Sequence, residues 1–333
     1  PEVLAPPSAV DAHGHGATEA HEAGGTPAAG GPSRPTIAAD GTVTLVPAPD
    51  LSLVEEGPDG LLPIIGPDGR RPAEVYARPA PPPSGRPRIA LVLTGLGLSP
   101  TATREVLADA PDAVSLAFSP HAGGLQSWIN RARAKGHEVM LHLPLEPHDF
   151  PANDPGPNTL LAGAGAPEND ARLNWVLSRA TGYTGLLAEG GHRFTASEDA
   201  LAPVLATLER RGLLLVEDGA SPRSLTERLA RTGGVDAGLA DRRIDLRLSR
   251  AAIDLMLLDL ETIARNRGIA IGLGFAYPIT VEQIVAWAPT LRTKGIDLVP
   301  VSDVLLTART AKAPAAHVEA ADPSAHVTEP QAH

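Results

Sequence analysis

The chain has 333 residues, a formal net charge of −11 and no cysteine. The lack of cysteine excludes a disulfide framework, a thiolate metal site and a cysteine nucleophile. With only 3 lysines, this acidic chain has no basic surface for a phosphate backbone, so no nucleic-acid partner is expected. No apolar run reaches roughly 18 residues, so no segment of the sequence is expected to span a bilayer.

Acidic charge and proline are concentrated at the start of the chain. Residues 1–84 carry 4 Arg against 11 Asp and Glu, and they hold 16 of the 34 prolines. Residues 1–36 have no hydrophobic periodicity and are predicted to be a disordered acidic tether. Residues 37–85 have β-branched content and turn signals, which predict an extended arm followed by a Pro-rich join. Residues 307–333, rich in Ala, Pro and His, are predicted to be a disordered tail.

Residues 86–306 alternate short apolar runs with helical patterns. The predicted strands cover 88–93, 113–118, 138–143, 184–187, 213–216, 244–248, 269–273 and 297–301. Helix signals lie between them, such as Pro100 after a Ser99 N-cap and a glycine stop at Gly268. Seven or eight strand–helix units over about 220 residues predict an α/β fold, a distorted parallel (β/α) barrel with an N-terminal Pro-rich arm.

In a parallel α/β fold, the loops after the C-terminal ends of the strands are expected to carry the chemistry. After strand one, Thr94–Gly97 reads TGLG and lacks the third glycine of a dinucleotide motif, so a tight turn is the better interpretation. After strand three, His142 and Glu146 emerge among prolines. For His142, a functional site and a simple hydrogen bond to neighbouring backbone remain equally supported alternatives.

Two further loops carry carboxylates and a histidine. After strand four, Glu189 and His192 lie among glycines that let the backbone approach a ligand. After strand five, Glu217 and Asp218 form either part of a site or a solvated turn that caps the next helix. No Gly-x-Ser-x-Gly elbow occurs, so a serine hydrolase is not supported. The candidate site therefore consists of Thr94, His142, Glu146, Glu189, His192, Glu217 and Asp218.

The order of these segments resembles a known family, the divergent polysaccharide deacetylases. The similar segments are RPRIALVLTGLGLS, GHEVMLHLPLEP with DPGPNTL, HRFT, GLLLVEDGASPRS, GIAIG and IDLVPVS. The resemblance covers residues 86–306. It implies a distorted barrel related to carbohydrate esterases and metal-assisted removal of acetyl groups from N-acetylated sugars. It also implies a location in the periplasm or cell envelope.

The sequence departs from the family pattern at the positions on which the chemistry depends. Family members typically have two adjacent aspartates where this chain has Thr94 and Gly95. They have a histidine where counting back from HRFT without a gap places Glu189. An aspartate is replaced by Glu217, and Phe275 stands where many members have histidine.

The loop with His142 and Glu146 is the one family motif that is intact. Metal-assisted hydrolysis needs about three protein ligands of Asp or His character. Thus no metal or other cofactor is expected, and zinc or another divalent metal would require a rebuilt site. Whether the protein is an enzyme is left open, with weakened or lost activity favoured.

Two functions therefore remain in view. The first is a carbohydrate deacetylase of the bacterial envelope with weakened or lost activity. The second is a non-catalytic barrel that binds a protein partner or an envelope glycan, such as a peptidoglycan-type sugar. A signal peptide or membrane anchor upstream of Pro1 is a further expectation.

Overall fold

The computed structural model describes residues 34–38 and 42–312, so most of the predicted tether and tail lies outside the described residues. The strands are β1 (Thr36–Ile37), β2 (Val43–Thr44), β3 (Val54–Gly57), β4 (Gly60–Pro63), β5 (Arg88–Leu96), β6 (Ser115–Phe118), β7 (Val139–Leu143), β8 (Gly185–Ala188), β9 (Leu214–Glu217), β10 (Ala237–Leu239), β11 (Arg242–Arg243), β12 (Ile269–Phe275) and β13 (Asp297–Val299). The helices are α1 (Pro72–Val75), α2 (Pro100–Asp109), α3 (Leu125–Ala134), α4 (Ala166–Leu177), α5 (His192–Thr195), α6 (Glu198–Arg210), α7 (Thr226–Gly233), α8 (Arg250–Arg267), α9 (Pro278–Thr293) and α10 (Val301–Lys312). The predicted start of the tail at residue 307 falls inside α10.

Within the described ranges, no helix is long and apolar enough to cross a membrane.

Nine of the described strands form one curled parallel sheet. Its order is β10-β9-β8-β7-β6-β5-β12-β11, and β13 pairs with the first half of β5. Strands β10 and β11 lie at opposite ends of this order but follow each other in the chain, since Ala237–Leu239 pairs with β9 and Arg242–Arg243 with β12. One short stretch of chain therefore joins the two edges of the sheet. The predicted distorted parallel (β/α) barrel is confirmed.

Side chains alternate between two apolar layers along each strand, because successive residues point to opposite faces. On β5, Ile89, Leu91 and Leu93 pack with the surrounding helices, whereas Ala90 and Val92 face the barrel interior. Nine apolar residues of the predicted strands are at most 4% exposed, as their continuous apolar runs lead one to expect, namely Ile89, Leu91, Leu93, Val139, Leu141, Leu214, Val216, Ile271 and Val299.

The sequence predicts the sixth strand wrongly. Residues 244–248 were expected to form it, but the chain pairs earlier, as β10 and β11, and turns irregularly before α8. Two of the three apolar side chains that favoured 244–248 are exposed, since Leu246 is 77% and Leu248 55% exposed, whereas Ile244 is buried. As a consequence, Arg243 lies at the C-terminal end of a strand instead of before its start.

The arm packs against the base of the barrel, which is the end where the parallel strands begin. It contains the hairpins β1–β2 and β3–β4 and the short helix α1, so it is not purely extended. The buried guanidinium of Arg133, in the last turn of α3, donates to the carbonyls of Val46 at 2.6 Å, Gly182 at 2.9 Å and Tyr76 at 3.1 Å. This side chain therefore fastens the arm to the start of β8.

A buried carboxylate ties the same end together. Glu138, immediately before β7, accepts hydrogen bonds from the Ser115 hydroxyl at 3.1 Å and from the backbone N–H of Arg78 at 3.2 Å. It also accepts from the backbone N–H and the hydroxyl of Ser302, at the start of α10. Arm, strand and last helix thus meet on one side chain.

Candidate functional site

The C-terminal ends of the strands form a rim at the opposite end of the barrel from the arm. A residue two positions after an inward-facing apolar residue of the same strand also faces inward. Thr94 follows Val92 on β5 in this way, and His142 follows Met140 on β7. We call the inward-facing residues at or just after these strand ends the rim set, which consists of Thr94, His142, Glu189, Asp218, Arg243 and Phe275.

Glu189 has the most contacts within the rim set. Its carboxylate accepts a hydrogen bond from the guanidinium of Arg243 and another from Thr94. Burial raises the pKa of Glu189 above its ordinary value, and the negative charges of Asp218 and Asp245 act in the same direction. Arg243 and Thr94 oppose that shift. The protein therefore supplies its own cation to a carboxylate that would otherwise carry an uncompensated charge.

Arg243 is held from several sides. Besides its bond to Glu189, its Nη1 lies 3.6 Å from Oδ1 of Asp245, and its Cζ lies 5.6 Å from the centre of the Phe275 ring. Oδ2 of Asp245 accepts hydrogen bonds from the backbone N–H of Phe275 at 2.5 Å and from the hydroxyl of Thr280 at 3.0 Å. Oδ1 of Asp245 is buried and has no hydrogen-bond partner.

Phe275 fills the space next to Gly95. A Cβ at Gly95 would lie 2.4 Å from Cε1 of Phe275. Gly95 also has a φ of 80°, a conformation that favours glycine. Phe275 stacks on Tyr277 with ring centres 5.2 Å apart and planes at 23°. An aromatic pair therefore occupies the part of the rim where the family pattern has a carboxylate and a histidine.

His142 is a neutral imidazole in this setting. Burial lowers its pKa to about 4, and the positive charge of Arg243 acts in the same direction. Burial also lowers the pKa of His121, helped by the charge of Arg179. His142 further interacts with the backbone of Glu189. These two histidines therefore add no positive charge to the rim near neutral pH.

Asp218 and His192 form a pair beside Glu189. Nε2 of His192 lies 3.2 Å from Oδ2 of Asp218, and the same oxygen accepts a hydrogen bond from the backbone N–H of Gly190 at 2.8 Å. His192 begins α5, and its side chain is 30% exposed. An imidazole held by a carboxylate is an arrangement that general bases use.

Two predicted site residues, Glu146 and Glu217, make their contacts outside the rim set. Glu146 binds Arg193 at 2.8 Å and the backbone N–H of Ala162 at 2.6 Å, which fastens the long loop after β7 to α5. Glu217 lies on the outward face of β9, where its Oε2 accepts a hydrogen bond from Ser224 at 2.7 Å. The rim therefore brings Thr94, His142, Glu189, Asp218 and His192 together, without these two carboxylates.

Sequence reasoning missed Arg243, Asp245 and Tyr277. The first two were hidden by the misplaced sixth strand, which assigned them to the wrong end of the barrel. Tyr277 lies two residues after the end of β12, and its place after a predicted strand was the available signal. Its neighbour Phe275 was noticed only as a replaced histidine, not as a contact of Gly95.

The residues of the rim do not fit a catalytic divalent metal. Across residues 34–38 and 42–312, no group of three or more His, Cys, Asp or Glu side chains is arranged to hold a metal ion. Arg243 occupies the carboxylate of Glu189, Thr94 offers one weak hydroxyl ligand, and Phe275 fills the place beside Gly95. A zinc site of this type needs about three N or O ligands from the protein.

The fold and its polar rim define a parallel (β/α) barrel protein with a candidate site at the C-terminal ends of its strands. The family model described as divergent polysaccharide deacetylase matches residues 91–305. This chain belongs to that family, as its motif order predicted.

Three similar proteins come from bacteria. The solved structure of the uncharacterized protein ATU2773 from Agrobacterium tumefaciens C58 is 41% identical, covers 74% of this chain and 99% of its own, and superposes with a TM-score of 0.72. YibQ of Escherichia coli K12 is 25% identical over 197 residues, which are 59% of this chain and 61% of YibQ. An uncharacterized protein of Haemophilus influenzae is 24% identical over 178 residues, which are 53% of this chain and 62% of that protein. The chain thus spans about three fifths of the length of these two curated relatives.

Proposed function

We propose that this protein binds carbohydrate and has lost the metal-assisted deacetylation of its family. Family membership supports a sugar ligand. The observation that carries the loss of activity is the hydrogen bond from Arg243 to Glu189. Metal-assisted hydrolysis needs a divalent ion that polarises the amide carbonyl and activates a water. Here a guanidinium, which cannot coordinate water as a metal does, neutralises the carboxylate instead.

The ligand in this proposal is a glycan of the bacterial cell envelope, of peptidoglycan type, and the location is the periplasm or cell envelope. The net charge of −11 supports a neutral or cationic polymer over an anionic one. The single guanidinium of the rim set is already bonded to Glu189, so an anionic sugar would meet mainly carboxylates.

Three measurements on the purified protein test this function together. They are metal content after dialysis, acetate release from N-acetylglucosamine oligomers, and binding of envelope glycan fragments by calorimetry. We expect less than stoichiometric metal, no acetate above background, and measurable glycan binding. Stoichiometric zinc together with acetate release would contradict the proposed loss of activity.

Variants that rebuild the family pattern give a matched comparison. The changes Thr94→Asp, Gly95→Asp and Glu189→His restore three ligands of the family type. With Phe275 in place they should raise zinc affinity little, because a Cβ at Gly95 would approach the ring to 2.4 Å. Adding Phe275→Ala should allow zinc to bind. Tight zinc binding with Phe275 retained would show that the ring does not exclude the metal.

One observation favours a second function, hydrolysis of an acylated sugar without a metal. It is the 3.2 Å contact between His192 and Asp218, which resembles a general base with its orienting carboxylate. Acetate release that resists a chelator and is abolished by His192→Ala, but not by His148→Ala, would support it. Absence of acetate release from the unmodified protein would exclude this function for the substrates tested.

A further inference from the structure

The rim carries more negative than positive charge. The carboxylates of Glu189, Asp218 and Asp245 lie close enough for the charges of the latter two to act on Glu189. Arg243 contacts two of the three carboxylates. His142 adds no compensating charge, because burial keeps it neutral. Three anionic groups therefore share one permanent cation.

His192 does not remove the imbalance. With a neutral imidazole beside Asp218, Arg243 is the one cation for three carboxylates, and two negative charges are uncompensated. With a protonated imidazole, one negative charge is still uncompensated. Oδ1 of Asp245 shows the same imbalance locally, since it is buried, faces Arg243 at 3.6 Å and accepts no hydrogen bond. A buried carboxylate oxygen without a donor is costly. A ligand with positive charge and N–H or O–H donors would be attracted by this excess of negative charge and could donate to Glu189 and Asp218, whose side chains are partly exposed.

Tyr277 adds an aromatic face that is linked to the charged residues through Phe275, whose ring lies 5.6 Å from Cζ of Arg243. Tyr277 is 40% exposed, whereas Tyr76 and Tyr183 are both 2% exposed. It is fixed by stacking on Phe275 and by Pro278 at the first position of α9. An aromatic face can pack against the apolar side of a sugar ring, and its electron-rich face attracts a cation.

We propose that the rim binds an amino sugar with a free ammonium group, as in a de-N-acetylated hexosamine unit, in preference to the N-acetylated sugar. The ring lies on Tyr277, and the ammonium is attracted by Glu189, Asp218 and Asp245. A sugar suits this arrangement better than a metal ion, because the carboxylates do not surround one point. The proposal rests on the proposed carbohydrate function and names its ligand. Acetylation would remove both the positive charge and two donors.

Calorimetry with glucosamine oligomers and N-acetylglucosamine oligomers of equal length tests the preference. We expect the glucosamine oligomer to bind at least about tenfold more tightly, a difference of about 1.4 kcal/mol. Added salt should weaken this binding, since part of the attraction is between charges. Equal or tighter binding of the N-acetylated oligomer would overturn the amino-sugar proposal but leave glycan binding intact. Failure of both oligomers to bind would overturn this proposal and count against glycan binding as well.

Variants separate the aromatic and the charged contribution. Tyr277→Ala should weaken glucosamine-oligomer binding about tenfold, and Tyr277→Phe should retain most of it, because the ring face is kept. Glu189→Gln should reduce the preference for the amino sugar. Glu55→Gln, the same chemical change on the hairpin at the base, is the matched control and should have no effect. Unchanged binding in Tyr277→Ala would overturn the proposed platform.

A cationic ligand without a sugar ring tests whether charge attraction alone explains the binding. Trilysine carries ammonium groups but cannot present the face of a pyranose ring to Tyr277. We expect it to bind the protein more weakly than the glucosamine oligomer and to lose less affinity than the oligomer does in Tyr277→Ala, because only the cation–π part of the contact is available to it. Binding as tight as that of the oligomer would reduce the effect to charge attraction and overturn the sugar assignment.

Discussion

The base and the rim of the barrel differ in how they satisfy buried polar groups. At the base, the buried pair of Arg71 and Asp236 joins the arm to the start of β10 at 2.6 Å. Arg133 and Glu138 are each surrounded by several partners of opposite hydrogen-bonding type. Apart from one nitrogen of Arg71, the charged groups named here have partners. These contacts stabilise the closed end of the fold.

At the rim the pattern is reversed. The described residues contain seven buried side-chain atoms without a hydrogen-bond partner. Five of them lie at the C-terminal ends of strands or in the segments that follow: His121 Nε2, Thr195 Oγ1, Glu217 Oε1, Thr226 Oγ1 and Asp245 Oδ1. Native proteins leave few such atoms, and they retain them where function requires it. The stabilising polar contacts are therefore concentrated at the base, whereas the buried atoms without hydrogen-bond partners are concentrated near the rim.

The largest effect that tests this comparison is expected from Asp236→Asn at the base. The substitution leaves Arg71 buried without its anionic partner, and breaking a buried pair costs about 3–5 kcal/mol. The free energy of unfolding from urea titration measures it. Glu74→Gln is the matched control, because Glu74 lies 3.7 Å from the same guanidinium but its side chain is 51% exposed. If Glu74→Gln lowered the free energy of unfolding as much as Asp236→Asn does, burial of the ion pair would not explain its contribution to stability.

A smaller loss of stability is expected from Gly95→Ala at the rim. Alanine would be strained at a φ of 80°, and its Cβ would meet Phe275 at 2.4 Å. We expect a decrease of about 2–3 kcal/mol in the free energy of unfolding. Phe275→Ala should recover part of that loss in the double variant, because the contact disappears while the strain remains. Additive effects of the two substitutions would mean that the ring and Gly95 are not coupled.

Glu138 is expected to make the stability of the base depend on pH. Burial raises its pKa above the ordinary value of 4.5, although hydrogen bonds from Ser302 oppose the shift. The folded protein therefore holds this proton more tightly than the unfolded chain does. The resulting stabilisation is present below the unfolded-state pKa and is lost as the pH rises through the folded-state value. Glu138→Gln cannot titrate, so the stability of the wild type relative to this variant should fall with rising pH. Thermal unfolding of both proteins across pH measures this, and a constant difference would contradict it.

Much of the fold was predictable, because buried parallel strands have continuous apolar character. The runs RIALVL and IAIGL identify β5 and β12, and the glycine at Gly268 marks the end of α8. The same logic failed for the sixth strand, where Leu246 and Leu248 are apolar but exposed. β10 and β11 are short and contain glycine and arginine, so no apolar run marks them.

The residues of the candidate site could be predicted from the sequence only where the end of the preceding strand was predicted correctly. Thr94, His142 and Glu189 lie near or just after the C-terminal ends of correctly predicted strands, and they lie on the inward face. Arg243 was not identified as a site residue, because the sixth strand was predicted at the wrong position. The contact of Phe275 with Gly95 depends on the register of β12 against β5, which pairs Phe275 with Thr94. No local pattern in the sequence contains that register.

The smallest expected effect comes from Glu217→Gln, which compares a buried carboxylate at the C-terminal end of β9, outside the rim set, with Asp236 at the base. Glu217 is 1% exposed, has one hydrogen bond, from Ser224 at 2.7 Å, and has an Oε1 without a partner. Glutamine can keep the acceptor for Ser224 and removes the ionisable group from an apolar layer, which offsets any lost attraction. We therefore expect the free energy of unfolding to change by less than about 1 kcal/mol. Because the substitution removes a buried ionisable group, the expected direction is an increase. Urea titration under the conditions used for Asp236→Asn gives the comparison directly. A loss as large as at Asp236 would show that the rim is as tightly paired as the base, and the contrast between the two ends would fail.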